Sequence, residues 1–166
     1  MKKKRLKPFT VVPKSKPENM AAKAFYDQIA IDTLARTLWG EARGEGSAGM
    51  QAVAHVILNR RAISKTLGRY WWGNDIVQIC QKPFQFSCWN KDDPNRAKLI
   101  QLGADDDIYF VSALRIARRA VADVLGTDIT QGATHYHAAG ISPYWVKDNK
   151  PSAVLGLHIF YRLVNV

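Results

Sequence analysis

Apolar side chains recur at helical spacing in the stretch of chain that leads up to Gly44. They are Ala30, Leu34, Ala35, Leu38 and Ala42. Because residues three and four apart share one face of a helix, the spacing predicts a helix from about Lys23 to Arg43 with one buried face. Gly44 and Gly46 are expected to end it. The rest of the chain must cover this apolar face, which favours a core built on packed helices.

Two further helices are predicted from the same periodicity. The first carries Met50, Val53, Ala54, Ile57 and Leu58, and Ser47 and Gly49 precede it as start signals. The second carries Val111, Leu114, Ala117, Val121 and Leu125. Its N-terminus follows three acidic residues, Asp105 to Asp107, and Gly126 is its expected stop. Between these helices, residues 68–95 are predicted to be irregular, with short helical turns around Ile76 to Cys80 only.

Two candidate strands lie near the end of the chain. Thr134 to Ala138 and Leu157 to Leu163 have strand-like patterns. A loop from Gly140 to Pro151 is expected between them, because its prolines exclude regular structure. Helices followed by a small antiparallel pair indicate the α+β class, in a mainly helical domain.

The N-terminal segment differs from the rest in composition. Residues 1–19 hold seven lysines and arginines against one acidic residue, and so carry six of the ten net positive charges of the chain. Three prolines also disfavour helix there. The sequence therefore predicts a flexible basic tail over residues 1–19 and a single domain over residues 20–166. The positive charge favours an anionic partner without identifying it.

Hydropathy and cysteine content argue against a membrane protein and against a disulfide-rich protein. No apolar run approaches the roughly 20 residues that a membrane-spanning helix needs, and the basic start lacks the apolar stretch of an export signal. Cys80 and Cys88 are too few for a disulfide framework. Free thiols are therefore favoured, although pairing of the two stays open.

Two carboxylates fall at the end of the first predicted helix, in the stretch Gly40-Glu41-Ala42-Arg43-Gly44-Glu45. Their spacing can place Glu41 and Glu45 on one helix face. The helix dipole and the neighbouring Trp39 would disfavour the charged form of Glu41, which suits a proton donor. Spacing alone leaves open the alternative that both are solvated residues paired with nearby arginines.

A longer stretch resembles a known family. Leu34-Ala-Arg-Thr-Leu-Trp-Gly-Glu-Ala-Arg-Gly-Glu45, followed by Gly49-Met-Gln-Ala-Val-Ala-His-Val-Ile-Leu-Asn-Arg60, is similar to the SleB-type cell-wall hydrolases. Gln85-Phe86-Ser87 resembles the central segment of that family. Gly132-Ala-Thr-His-Tyr-His-Ala138 and His158-Ile-Phe-Tyr161 resemble its C-terminal strands. In order, these segments cover most of residues 34–161.

The resemblance implies a lysozyme-like fold and cleavage of peptidoglycan between N-acetylmuramic acid and N-acetylglucosamine, commonly as a lytic transglycosylase. It assigns the catalytic role to Glu41, which would protonate the leaving glycosidic oxygen and then accept the proton of the muramic 6-hydroxyl. It makes Glu45 a supporting position and Gln85 and Ser87 sugar contacts. Tyr136, in one of the strand segments, would either orient the substrate or Glu41 or serve only in packing of the strand. The implied reaction needs no cofactor and no metal.

Three tryptophans are candidates for sugar binding, and three aspartates are candidates for a hydrolytic reaction. Trp71, Trp72 and Trp89 can stack on sugar faces, although core packing is favoured for at least two of them. If the enzyme is instead a muramidase that uses water, a second carboxylate is needed, and Asp75, Asp92 and Asp93 are the candidates.

A zinc site is one alternative, because His135, His137 and His158 lie on predicted strands. Zinc would imply an amidase or a peptidase. The chain has no His-Glu-x-x-His helix, and its cysteines lack zinc-finger spacing. A reaction without a metal is therefore favoured.

Binding without catalysis is the other alternative. Several arginines could meet phosphates, namely Arg60, Arg61, Arg115, Arg118 and Arg119, but no nucleic-acid recognition motif accompanies them. A non-catalytic wall-binding domain is therefore the stronger alternative of this class. The compact basic chain favours a phage endolysin that is released by a partner membrane protein and contacts the anionic envelope through its tail.

Overall fold

The computed structural model of the chain describes residues 17–68 and 71–163. Within these ranges the helices are α1 (Pro17–Ala42), α2 (Gly46–Leu67), α3 (Ile76–Gln81), α4 (Arg96–Gln101) and α5 (Ile108–Val121). The strands are β1 (His135–Ala138), β2 (Ala153–Leu155) and β3 (His158–Tyr161), and Arg43–Glu45 and Ser87–Trp89 form single 3-10 turns. The predicted α+β class with a mainly helical body is confirmed.

Helix α1 begins earlier than the periodicity predicted. Its first residue is Pro17, so residues 17–19, assigned to the tail from the sequence, are helical. Proline is favoured in the first helical turn, where its missing N–H has no partner to lose and its fixed φ suits a helix. Residues 1–16, which make up most of the predicted tail, lie outside the described part of the chain.

The core lies between α1, α2 and α5. The predicted α1 stripe of Ala30, Leu34, Ala35, Leu38 and Ala42 is buried throughout, and α2 contributes Met50, Val53, Ala54 and Ile57. From α5, Phe110, Ala113 and Ala117 pack into the same cluster. Helix α1 ends at Ala42, and α2 begins at Gly46 directly after the 3-10 turn, so the first helix ends next to the glycines that predicted its end.

Helix α5 begins as the acidic residues predicted but ends before the expected stop. The carboxylate of Asp107 accepts hydrogen bonds from the N–H groups of Tyr109 and Phe110. At the other end, Asp123 adopts a left-handed conformation with φ of 57°, and the N–H of Val124 donates to the carbonyl of Arg119. This is the Schellman pattern of helix termination, which here uses an aspartate rather than Gly126.

The strands form one antiparallel sheet in the order β1-β3-β2. Tyr136 is opposite Phe160 in the β1–β3 pair, and Val154 is opposite Ile159 in the β2–β3 pair. Strand β2 was not predicted. It is three residues long and follows a proline, too short for an alternating pattern to show. The sheet packs on α2 through a second apolar cluster of Ala52, Val56, Ala133 and Phe160.

The structure shows the state of the two cysteines and the length and polarity of the helices. Cys80 and Cys88 are both free and buried. None of the helices within the described ranges is long and apolar enough to cross a membrane.

Candidate active site

Glu41 lies in the last turn of α1, where its carboxylate meets two other parts of the chain. Oε1 accepts a 3.2 Å hydrogen bond from the backbone N–H of Cys88, and Oε2 accepts a 2.8 Å hydrogen bond from the hydroxyl of Tyr136. The residue is partly buried and lines an open groove. The two bonds fix the position of both carboxylate oxygens, so the side chain is held at the groove wall.

The contact between Glu41 and Cys88 depends on the preceding glycine. A Cβ at Gly40 would lie 2.5 Å from the Cβ of Cys88 and 2.9 Å from its sulfur. Only a residue without a side chain therefore lets the Ser87–Trp89 turn pack directly against α1. Trp89 fixes the same turn, because its indole N–H donates to the hydroxyl of Thr37 at 2.9 Å. Gly40 thus allows the Ser87–Trp89 turn to approach α1, and Glu41 supplies the carboxylate that the turn contacts.

The groove has a volume of about 730 Å³, within the usual range of ligand sites. The structure brings four of the predicted site residues to its wall: Glu41, Gln85, Ser87 and Tyr136. It also contains residues that the sequence analysis did not assign to a site, namely Phe84, Asn90, Ile141, Tyr144 and Trp145. Phe84 and Tyr144 are more than four-fifths exposed. The groove therefore combines one carboxylate with open aromatic surfaces.

Glu45 lies outside the wall of the groove and contacts the sheet instead. Its Oε2 accepts a 2.8 Å hydrogen bond from the N–H of Leu157, in the turn between β2 and β3. Two glycines make room for it, since a Cβ at Gly49 or at Gly156 would overlap the Glu45 side chain. The carboxylate thus connects the turn before His158 to the junction of α1 and α2.

Arg60 is the main site residue whose role the sequence analysis missed. The residue is only 5% exposed, and its guanidinium donates to the carbonyl of Thr134 at 2.8 Å and to Oε1 of Gln85 at 3.0 Å. The guanidinium lies 5.4 Å from the ring centre of Trp72 and 5.5 Å from that of Phe86. Burial lowers the pKa of Arg60 to about 10, and the cation reaches the groove wall between the central segment and β1.

The sequence did contain a signal for this role. Arg60 follows Val53 and Ile57 at spacings of seven and three residues, and so continues the buried stripe of α2. From its charge alone, Arg60 was predicted only as one of several basic side chains able to meet phosphates. Of those arginines, Arg61 forms an ion pair with Asp123 at 2.6 Å, on the outer surface of the molecule.

The groups around Glu41 are held in their protonated forms. Burial, followed by the nearby charge of Glu41, raises the pKa of Tyr136 well above its usual value. The same two causes, in the same order, raise the pKa of the Cys88 thiol. Tyr136 therefore remains a hydrogen-bond donor at neutral and moderately alkaline pH.

The three histidines considered as zinc ligands lie along β1 and β3. His135 Nδ1 is 2.9 Å from the hydroxyl oxygen of Thr134. His137 Nδ1 is 2.9 Å from the carbonyl of Ala138, and its Nε2 is 3.3 Å from the hydroxyl of Tyr161. Within residues 17–68 and 71–163, no three His, Cys, Asp or Glu side chains come together in a way that could hold a metal ion.

Of the three tryptophans and three aspartates predicted as candidates, only Trp71 lines the groove. Trp72 is buried and Trp89 packs on the core, as favoured for two of the three, whereas Trp71 is 48% exposed and lines the groove. Asp75 caps α3 by accepting from the N–H of Gln78. Neither it nor Asp92 nor Asp93 lines the groove.

Known proteins are similar to this chain in sequence and in structure. The profile of the Cell Wall Hydrolase family matches residues 44–161, and so begins three residues after Glu41. The spore cortex-lytic enzyme of Halalkalibacterium halodurans is 32% identical over 139 residues, which are 82% of this chain. The chain spans only 36% of the length of that relative.

Two solved structures are similar over most of the chain. The catalytic domain of the Bacillus cereus SleB protein has a TM-score of 0.59 and 26% identity, over 81% of this chain and 90% of that domain. The catalytic domain of the germination-specific lytic transglycosylase SleB from Bacillus anthracis has a TM-score of 0.57 and 25% identity, over 90% of this chain and 99% of that domain. The family profile and the relatives each match most of the chain, and the chain belongs to the Cell Wall Hydrolase family.

Proposed function

We propose that this chain cleaves the glycan strand of peptidoglycan as a lytic transglycosylase, with Glu41 as general acid and then general base. The observation that carries the proposal is the composition of the groove. Among the described residues that line it, Glu41 is the only carboxylate. A glycosidase that hydrolyses its substrate commonly uses two carboxyl groups, whereas an intramolecular attack can proceed with one.

The reaction proceeds in two proton transfers through the same side chain. Protonated Glu41 donates its proton to the oxygen between C1 of N-acetylmuramic acid and the next N-acetylglucosamine, and the C1–O bond breaks as the sugar gains oxocarbenium character. The 6-hydroxyl of the same muramic residue then bonds to C1 and gives its proton to the Glu41 carboxylate. The product is a 1,6-anhydro end, no water is consumed, and Glu41 returns to its protonated form.

The surrounding residues have supporting roles in this proposal. Tyr136 and the Cys88 N–H each donate to one oxygen of the Glu41 carboxylate and so hold the side chain at the wall of the groove. Gln85 and Ser87 contact sugar hydroxyls in this proposal, which is supported by their position in the groove lining and by the hydrogen bond from Arg60 to Gln85. Exposed aromatic rings at Trp71, Phe84 and Tyr144 offer stacking surfaces for sugar faces.

The names of the relatives support the same class of reaction. One similar protein is described as a spore cortex-lytic enzyme and another as a lytic transglycosylase. Hydrolysis as a muramidase would need activated water. None of the three aspartates considered for that task lines the groove, so no particular observation favours it.

Mass spectrometry of the products from purified peptidoglycan tests the proposal. The native protein is expected to release anhydro-muramic fragments, and Glu41→Gln is expected to lower their rate of release by about 10² to 10⁴, the usual contribution of general acid–base catalysis. Asp92→Asn is the matched control, because it removes one exposed carboxylate outside the groove and should leave the rate unchanged. Reducing muramic ends would indicate a muramidase, and unchanged cleavage by Glu41→Gln would remove Glu41 from the mechanism.

The proposal extends to delivery of the enzyme. The seven basic residues among residues 1–19 suit an attraction to the anionic bacterial envelope, as a phage endolysin would need. Replacement of the six lysines in this segment by glutamine should weaken salt-sensitive binding to sacculi while leaving cleavage of soluble glycan intact. Equal binding by the variant and the native protein would contradict this role.

A further inference from the structure

A second depression opens from the groove that contains Glu41. It has a volume of about 680 Å³ and is called here the side groove, lined by Trp71, His135, Tyr144, Trp145, Lys147, Asp148, Asn149, Arg162 and Leu163. The first four of these residues also line the groove at Glu41. The two depressions therefore share a wall, and a branched ligand can enter both at once.

The charges of the side groove differ from those beside Glu41. Lys147 and Arg162 bring two cations, against the single carboxylate of Asp148. Both cations are exposed, and within the described residues neither forms a salt bridge. Burial lowers the pKa of His135 to about 4, so this shared wall residue is neutral at physiological pH. The described lining of the side groove thus carries one more positive charge than negative.

The loop that presents Lys147 is held in place by packing and hydrogen bonds. Trp145 packs edge-on against Tyr161 of β3, with ring centres 5.5 Å apart, and lies 5.3 Å from His135. The N–H of Asn149 donates to the carbonyl of Val146 at 2.8 Å, and its side-chain amide donates to the carbonyl of Trp145 at 2.8 Å. The cation is therefore carried by a turn that is anchored on the sheet.

Arg162 follows the last residue of β3 and lies over Gly132. A Cβ at Gly132 would lie 3.3 Å from Cδ of Arg162 and 3.5 Å from its Nε. Gly132 also has a φ of 84°, which disfavours any other residue. The backbone of the segment before β1 therefore forms a floor for the arginine side chain at the edge of the side groove.

The chemistry of peptidoglycan identifies a ligand for this arrangement. The sugars of the strand are neutral where the lactyl group of muramic acid is linked to a peptide, and the stem peptide that branches from this group carries free carboxylates. We propose that the side groove binds the acidic stem peptide of a muramic residue in the groove at Glu41, with Lys147 and Arg162 facing its carboxylates. This inference rests on the proposed function and adds to it a preference for strands that carry stems.

Paired substrates test the preference. We expect the native protein to cleave soluble glycan strands that carry stem peptides with a kcat/KM about tenfold above that for strands stripped of their stems by an amidase, in line with two partly exposed charge contacts. The double variant Lys147→Gln, Arg162→Gln should lose this difference and keep the native rate on stripped strands. Equal native rates on the two substrates would overturn the inference.

A matched control separates local contact from general attraction. Arg115→Gln with Arg118→Gln removes the same charge from exposed positions of α5, and neither residue lines a groove. This variant should keep the preference for stem-bearing strands. If it loses the preference as fully as the side-groove variant does, the net charge of the protein and not the side groove is responsible.

A binding measurement keeps the inference independent of catalysis. The free acidic stem tripeptide, titrated into the native protein, should shift the NMR signals of Trp145 and Arg162, and the double variant should abolish the shift of the Trp145 signal. A protein that cleaves neither substrate but still binds the tripeptide in this way would contradict the proposed reaction and support the side groove. Absence of any shift in the native protein would overturn the side groove alone.

Discussion

The hydroxyl of Tyr136 donates a 2.8 Å hydrogen bond to Oε2 of Glu41, joining the middle of β1 to the last turn of α1 across 95 positions of sequence. The pKa of Tyr136 is raised by burial and by the charge of Glu41, so the phenol keeps its proton and the bond keeps its direction. The sheet therefore contributes one fixed donor to a carboxylate that a helix presents. This relationship makes the small sheet part of the site.

Removal of that donor should slow the reaction while substrate binding is retained. In Tyr136→Phe the ring stays packed against Phe160, whose ring centre is 5.6 Å away, but Oε2 loses its partner. A hydrogen bond to a charged group is worth about 1.5–3 kcal/mol, so we expect kcat to fall roughly 10- to 100-fold with little change in KM. Steady-state kinetics on soluble glycan measure both parameters. Tyr109→Phe, at an exposed tyrosine of α5, is the control, and an unchanged kcat in Tyr136→Phe would contradict the positioning role.

Arg60 should contribute to stability as well as to the site. Arg60→Met keeps apolar bulk between Trp72 and Phe86 but leaves the carbonyl of Thr134 and Oε1 of Gln85 without their donor. A buried acceptor left unpaired costs about 1–3 kcal/mol, so the free energy of unfolding should fall by about 2–4 kcal/mol. Urea denaturation measures the loss. The exposed Arg115→Met should change it by less than about 0.5 kcal/mol, and a similarly small change for Arg60→Met would show that the buried bonds are not needed.

Local sequence was sufficient for the elements that bury a long periodic face. The stripes of α1 and α2 predicted which residues form the core, because burial repeats at 3.6 residues over several turns. The ends of elements were less predictable. Pro17 starts a helix although it suggested a tail, and Asp123 ends α5 in a conformation that glycine usually adopts. Both outcomes depend on hydrogen bonds and packing at a single position, which periodicity does not record.

The candidate site also has some features that the local sequence predicts and others that depend on contacts between distant segments. The resemblance singled out Glu41, and the glycine before it explains how the Ser87–Trp89 turn can reach the carboxylate. The hydrogen bonds from Tyr136 to Glu41 and from Arg60 to Thr134 join residues 95 and 74 positions apart, and no local pattern reveals these partners. Trp145 lies in a stretch predicted only as a loop, and its place in the groove follows from packing on Tyr161.

Gly156 should be intolerant of any side chain because of Glu45. A Cβ at Gly156 would overlap Oε2 of Glu45, the atom that accepts from the N–H of Leu157, and the residue has a φ of 55°. We expect Gly156→Ala to lower the free energy of unfolding by about 2–3 kcal/mol, from the loss of a charge-assisted bond added to the backbone cost of about 1 kcal/mol.

The control for Gly156→Ala is a glycine with the same backbone conformation and free space. Gly68 has a φ of 62° and nothing within 4 Å of an added Cβ, so Gly68→Ala should show the backbone cost alone. Glu45→Ala should also make the Gly156→Ala substitution less costly, because the overlapping oxygen is gone. Equal losses for the two glycine variants, measured by urea denaturation, would show that the contact with Glu45 is unimportant.

Stability should decrease as the pH falls below neutrality, because histidines are buried in their neutral form. Burial, aided by the charge of Arg60, lowers the pKa of His135 to about 4, from about 6.5 in an unfolded chain. Burial also lowers the pKa values of His55 and His158.

Above pH 6.5 both folded and unfolded chains hold neutral His135, and its contribution is complete. Between pH 6.5 and 4 only the unfolded chain takes up the proton, so stability is lost. Because His135 is partly exposed, we expect a share of about 1 kcal/mol between pH 7.5 and pH 5. His135→Gln should remove that share from the pH dependence of urea unfolding, whereas an identical dependence in the variant would show that His135 is not the group that titrates.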